Sequence, residues 1–416
     1  MEPLLGYVGS HGAMLLMLIV PLLWDIPTIL VVLEMNAMMP VNGGYYQWVK
    51  RALGLRWGFY EGWWTWLYTF VDLAIYPVLF VQYAAFFIPG LAAFKIPICL
   101  AIIWSCAGLN ILGIVPVGKT SLVLGIFVFA PFLILFTTGH TFLLSHSLLP
   151  GGHPLKGLGF SSVGMGIYTV MWNMLGWDNT TTYAEEVEKP ARSYLISVST
   201  AFFLILGLYV LTLQTARWSG IDPSVFSSDG FPALGNLVGG HWLAALMAAG
   251  GMASSIGLFA GVLLSVSQVP KVMADDRLLP KRISALHPRF KTPYVSVIVC
   301  ALVVSVMILW SFMDLIVIDI TLYGAALFLE FIALVVFRIR KPGRPRPFRI
   351  PLGIPGICLL LVLPVGVYTI ALSGALSDAG EAWKPALFAL GALLTAELGW
   401  LGLRWKRRRV GKIKYI

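Results

Sequence analysis

Eleven long apolar runs separated by short polar loops dictate what this 416-residue chain can become. A helix crossing ~30 Å of hydrocarbon needs about 20 apolar residues, and a helix satisfies its own backbone without water. That ruler places spans at roughly 12–34, 57–88, 96–114, 120–143, 161–184, 194–216, 241–267, 292–313, 315–337, 350–373 and 383–403. The second run is too long for a perpendicular crossing, so it is tilted or begins in the interface. With 58% apolar and 12% charged residues and a mean hydropathy of +0.85, a soluble multi-domain enzyme and a disordered chain are both excluded. The expected fold is an all-α polytopic membrane protein.

Loop charge orients it. The chain holds 29 Lys and Arg against 19 Asp and Glu. Twenty-five of those cations fall on one side of the spans, in the loops at 50–56, 119, 189–192, 271–291 and 338–349 and in the tail 404–416. Only Lys95, Lys156, Arg217 and Lys384 fall on the other. By the positive-inside rule the basic side and the carboxyl terminus are cytoplasmic, facing an anionic leaflet. Clustered as they are at span ends, these charges point to membrane orientation and not to nucleic acid. Eleven crossings that end inside begin outside, which puts residues 1–10 on the outer side. No cleavable signal peptide is visible, and the expectation is that one amino-terminal span is missing from the sequence.

Charge inside the spans is one-sided. Asp25, Asp72, Asp178, Asp319, Glu330 and Glu397 fall within them, and no Lys or Arg lies deep in any span to pair with them. A charged side chain there costs ~3 kcal/mol on insertion scales, so each acid is a functional candidate. An unpaired acid in low dielectric holds a proton or meets a cation. Both outcomes belong to transport. Glu34 and Glu61 sit at the cytoplasmic ends and are expected to be interfacial. Asp72 and Tyr76, four apart, share a helix face; Asp319 and Tyr323 repeat the spacing, and Glu330 returns to nearly the same face. An acid beside a phenol suits an ammonium group, by charge and by cation–π contact. Acid and phenol bonded to one another would look the same in sequence.

The run Asn173-Met174-Leu175-Gly176-Trp177-Asp178-Asn179-Thr180-Thr181-Thr182 interrupts an otherwise apolar span. Gly, Asn, Asp and Thr accept non-helical backbone, and a broken helix at membrane depth is tolerated only where it lines a cavity. Pro40-Val41-Asn42-Gly43-Gly44 reads as a turn, and residues Tyr45 to Leu53 mix aromatics and cations as an interfacial helix would. The four cysteines fall in apolar runs and imply no disulfide framework; His140, His146 and His153 lack metal-ligand spacing and read as solvated. There is no HExxH, phosphate-binding glycine loop or nucleophile elbow, so neither an enzyme nor a cofactor or metal site is expected. A channel is disfavoured because no repeated filter motif is present.

These residues resemble the amino acid–polyamine–organocation superfamily of permeases. Glu34 through Met39-Pro40-Val41-Asn42-Gly43-Gly44-Tyr45 to Leu53-Gly54 and Trp57-Gly58-Phe59 is similar to that family's second span and first cytoplasmic loop. Gly176-Trp177-Asp178 with Ala184-Glu185-Glu186-Val187-Glu188-Lys189-Pro190 resembles its discontinuous sixth span. Met273-Ala274-Asp275-Asp276-Arg277-Leu278-Leu279-Pro280 and His287-Pro288-Arg289-Phe290-Lys291-Thr292-Pro293 resemble the loop after its eighth. Within the superfamily, Trp24-Asp25-Ile26-Pro27, Asp72 through Phe80, Leu329-Glu330-Phe331 and Arg346 through Gly353 resemble the polyamine permeases of plants and protists.

The resemblance implies the leucine-transporter fold, with inverted repeats working by alternating access. It assigns 12–143 to spans two to five, 161–337 to spans six to ten, and 350–403 to the last two. It also implies that the first, broken span, half of the substrate site, is absent. Where many relatives carry a Lys in the fifth span, this chain reads Gly125-Ile126-Phe127, so a Lys-based mechanism does not carry over. The 89–95 loop offers no Cys for a disulfide-linked heavy chain.

The expectation is therefore a proton-driven transporter of polyamines or cationic amino acids, in the plasma membrane. Asn173, Gly176, Trp177, Asp178, Asp72, Tyr76 and Asp25 would bind substrate, and Asp319 and Glu330 would serve the proton. A neutral amino acid permease and a non-transporting relic are the rival readings.

Overall fold

The computed structural model describes residues 1–146, 159–222, 225–228, 230–377 and 383–409, and they are all helix and loop, without a strand. His153 lies outside these residues, and the side chains of His140 and His146 lie outside the described part as well.

The chain opens with α1 (Glu2–Val20), a π-helical turn (Pro21–Asp25) and α2 (Ile26–Met38). Next come α3 (Gly44–Leu53), α4 (Leu55–Ala85), α5 (Lys95–Leu112) and α6 (Ile114–His146). α7 (Phe160–Asn173) ends early and is followed by a 3-10 segment (Asn179–Glu186). Then follow α8 (Pro190–Trp218), α9 (Val225–Ser228), α10 (Phe231–Gly239), α11 (His241–Val266) and α12 (Gln268–Asp275). The chain closes with α13 (Tyr294–Met307), α14 (Phe312–Arg340), α15 (Ile354–Leu376) and α16 (Trp383–Arg409). Nine helical stretches among the described residues are long and apolar enough to cross a membrane; the shorter α7 and α13 account for the other two predicted runs.

Burial sorts the helices. In α4 and α14, 78% and 72% of the apolar window is buried, against 17% in α6, α8 and α16. The first two form the centre and the others face lipid. α4 packs along α14 and α11, α11 packs along α6, and α7 is held between α1 and α15. The two central helices are also the ones that carry Glu61, Asp72, Asp319 and Glu330. Pro77 leaves α4 helical throughout.

Three expectations change. The first apolar run begins at Glu2, ten residues earlier than hydropathy places it, and its backbone breaks at Gly9 (φ 67°, ψ 176°). The arm Glu2–Val8 is packed helix: Leu4, Leu5 and Val8 are buried, and α1 packs on α7 and α8. Gly6, Ser10, His11 and Gly12 dilute the hydropathy signal without preventing a helix. α3 is not interfacial either. Tyr45, Tyr46, Trp48 and Val49 are fully buried against α4 and α14, while Lys50 reaches out to Asp276 at 2.5 Å.

Glu34 and Glu61, expected at the interface, are completely buried. Glu34 accepts from Arg338 Nε at 2.6 Å and from Arg338 Nη2, lies 3.1 Å from Arg346 Nε, and accepts the Ile350 amide at 2.9 Å. That cluster ties α2 to α14 and to the loop 341–353. Glu397 pairs with Arg56 at 2.7 Å on the exposed edge and takes no part in the interior.

Candidate functional site

The site starts where α7 stops. After Asn173 the backbone turns through Met174 and Leu175, whose amides reach back to Met171 and Trp172 carbonyls at 3.2 and 3.3 Å. Gly176 then takes φ 95°, a left-handed value that a Cβ would strain. Helical hydrogen bonding resumes as a tight 3-10 coil in which Thr181 Oγ1 donates to the Asp178 carbonyl at 2.6 Å and Thr182 Oγ1 to Asn179 at 2.8 Å. The Thr side chains satisfy carbonyls that a continuous helix would have bonded. The turn before α3 holds this coil from outside. Gly43 N donates to the Thr182 carbonyl at 2.8 Å, and a Cβ on Gly44 would collide with Thr181.

The break opens a chamber of about 320 Å³ between α4, α11, α14 and the 3-10 coil. Asp72, Asp178 and Asp319 all line it, with Tyr68, Tyr76 and Tyr323 as aromatic walls. The residues lining it include no Lys, Arg or His. Gly257 and Gly261 of α11 supply the small wall opposite.

The three acids differ in how far they are satisfied. Asp72 accepts from Tyr76 OH at 2.9 and 3.0 Å and from Trp172 Nε1 at 3.3 Å. Asp178 has one oxygen without a hydrogen bond. Asp319 has none on either oxygen, although it is fully buried. The two acid–phenol pairs, identical in spacing, therefore behave differently: Asp72 and Tyr76 bond to each other, and Asp319 is left open toward the chamber. Buried polar atoms are bonded in the large majority of cases, so open carboxyl oxygens facing a cavity mark a place for a ligand or proton.

A second acid level lies on the cytoplasmic side. Glu61 precedes Asp72 by eleven residues on α4, and Glu330 follows Asp319 by eleven on α14. That is three helical turns, or about 16 Å, in both cases. Glu61 and Glu330 lie close enough to interact electrostatically with one another and with Asp178. Each keeps one carboxyl oxygen without a partner.

The other predicted residues fall nearby but not in the chamber wall. Asn173 lines an adjoining cavity of about 480 Å³, where its Oδ1 accepts from the Met1 amino group at 3.2 Å. Trp177 turns away to pack on Phe202, ring centres 5.9 Å apart, and its carbonyl accepts from Tyr194 OH. Asp25 sits in the π-helical turn, fully buried beside the Trp177 indole, with neither oxygen hydrogen-bonded. Glu330 lies three turns beyond Asp319 on α14 and is not a lining residue. Tyr68, Trp172 and Glu61 were missed as site residues. Tyr68 stands four residues before Asp72 and Glu61 eleven before it, so helical phase alone could have found both.

Comparison with known proteins decides the family. Residues 1–393 match the amino acid permease family. The chain belongs to it. It is 31% identical over 365 residues to the polyamine transporter RMV1 of Arabidopsis thaliana, covering 87% of this chain and 72% of that protein. The polyamine transporter PUT1 of Oryza sativa is 32% identical over 401 residues, 94% of this chain and 72% of that protein. A branched-chain amino acid permease of Bacillus subtilis is 25% identical over 374 residues, covering 81% and 77%. The protein is thus a multi-pass membrane permease and not an enzyme.

Proposed function

We propose that this permease carries small organic cations, polyamines or cationic amino acids, across the plasma membrane by alternating access and with proton coupling. The observation that carries the reading is the convergence of Asp72, Asp178 and Asp319 on one chamber whose lining residues include no cation. A buried carboxylate without a countercharge is costly, and an ammonium group entering the chamber supplies that charge. Tyr68, Tyr76 and Tyr323 offer ring faces to the same group. The names of the two plant relatives point the same way.

Asp72, already held by Tyr76 and Trp172, is the fixed anchor of the substrate. Asp178 sits on the loosened backbone at Gly176 and moves with it. The open Asp319 and Glu330 exchange the coupling proton when no cation is bound, with Glu61 beside Glu330. Alternating access follows from the two repeats, 12–143 and 161–337, rocking about this chamber. Asn173, Trp177 and Asp25 support the broken segment from behind.

The Bacillus subtilis relative favours a second reading, a neutral amino acid substrate with the acids structural. Labelled spermidine uptake in a transport-deficient host separates the two: the proposal expects competition by spermine and none by leucine. Competition by leucine alone contradicts it. For coupling, Asp319→Asn is expected to abolish accumulation driven by a pH gradient while spermidine–spermidine exchange persists. Loss of both together would make Asp319 part of substrate binding instead.

A further inference from the structure

The adjoining cavity of about 480 Å³ shares Tyr76, Ser121, Trp172, Leu175 and Leu258 with the acid chamber, so the two are neighbouring rooms with common walls. Their linings differ in kind. The second room is predominantly apolar, walled by Leu79, Leu124, Val128, Phe129, Phe132 and Met247. At its far end stands one carboxyl group, that of Glu2. Glu2 Oε1 accepts from Tyr83 OH at 3.1 Å and from the Phe231 amide at 2.7 Å. Both bonds go to Oε1; Oε2 takes neither.

Tyr83 is placed for this task. It follows Asp72 by eleven residues on α4, so it lies on the same face about 16 Å nearer the outer side. Its ring lies flat against Gly251 of α11, where a Cβ would come within 2.6 Å of the ring carbons. Among the described residues, no Lys, Arg or His side chain lines either room; the cationic group in the second room is the Met1 amino group, which donates to Asn173 Oδ1 at 3.2 Å and makes no ion pair with Glu2 within 4 Å. The sequence of surfaces from α4 outward is therefore acidic, apolar, acidic.

We propose that the permease binds its substrate as an extended chain through both rooms, with one ammonium group between Asp72 and Asp178 and a distal one at Glu2. The inference rests on the organic-cation reading above and narrows it to long linear polyamines. Their chemistry, ammonium groups separated by methylene segments, repeats the order of the walls. A cationic amino acid would use the acid chamber and leave the apolar room and Glu2 idle. The methylene segment gains by leaving water for the apolar room, and the distal ammonium gains a charge-assisted hydrogen bond.

The test measures KM for putrescine, spermidine and spermine in the full chain, in Glu2→Gln and in Tyr83→Phe. Gln keeps an Oε1 for the Tyr83 and Phe231 donors, so the variant retains the local bonding. KM of the parent is expected to fall with substrate length. Glu2→Gln should raise the spermine KM roughly tenfold and leave the putrescine KM within about twofold. Tyr83→Phe should give a smaller change of the same kind. A length preference unchanged in both variants, or absent from the parent, overturns the two-room mode while cation transport stands. A parent that takes up no polyamine at all overturns the cation reading itself.

Discussion

Glu34 and Asp319 are both fully buried acids in the same helix bundle, yet their surroundings are opposite. Glu34 is gripped by two arginines and a backbone amide at the cytoplasmic end. Asp319 faces a chamber with no hydrogen bond to either oxygen. Countercharge separates the two roles of a buried acid in this permease. Where the protein supplies the countercharge itself, the acid locks helices together. Where it withholds the countercharge, we propose that the acid is reserved for something that comes and goes.

The largest effect is expected at the Glu34–Arg338 lock. Arg338→Ala leaves Glu34 buried beside Arg346 alone and is expected to cost about 3–5 kcal/mol, seen as a lower melting temperature in detergent and less protein in the membrane. Replacing the pair together, as Glu34→Leu with Arg338→Met, should recover most of that loss. If Arg338→Ala melts like the parent, the lock is not structural. At the chamber the expected effect is on transport and not on stability. Asp72→Asn should lower spermidine uptake at least roughly tenfold, the worth of one charge-assisted bond, at unchanged membrane abundance. Unfolding of Asp72→Asn would move Asp72 from the second class to the first. The smallest effect belongs to the exposed pair: Arg56→Ala, which frees Glu397 at the surface, should change stability by less than about 1 kcal/mol and leave uptake unchanged.

Much of this was legible in the sequence, for physical reasons. Apolar runs long enough to cross a bilayer are local properties, so the nine membrane-length helical stretches among the described residues were visible, and so was the break around Gly176, where polar and left-handed-tolerant residues interrupt one run. Depth was harder. Glu61 sits in the Arg- and aromatic-bearing first turns of α4, which read as interface, and Glu34 sits near a loop, yet surrounding helices bury both. Partnership was the least legible. Glu34 finds Arg338 across 304 residues of chain, which no local pattern encodes. The spacing of four put Asp72 beside Tyr76 and Asp319 beside Tyr323, but only packing decided that the first pair bonds and the second acid stays open. The amino-terminal arm was lost to the same cause: glycines and polar residues lower hydropathy around Gly9, while burial against α7 keeps the arm helical.

The most direct test of the central claim is calorimetric titration of the purified permease with spermidine and with leucine, beside Asp72→Asn. Saturable spermidine binding that the substitution abolishes, with no leucine binding, is the predicted result. Spermidine binding that survives Asp72→Asn undiminished, or saturable binding of leucine alone, would contradict the claim that the unpaired acids of the chamber are there to receive a cation.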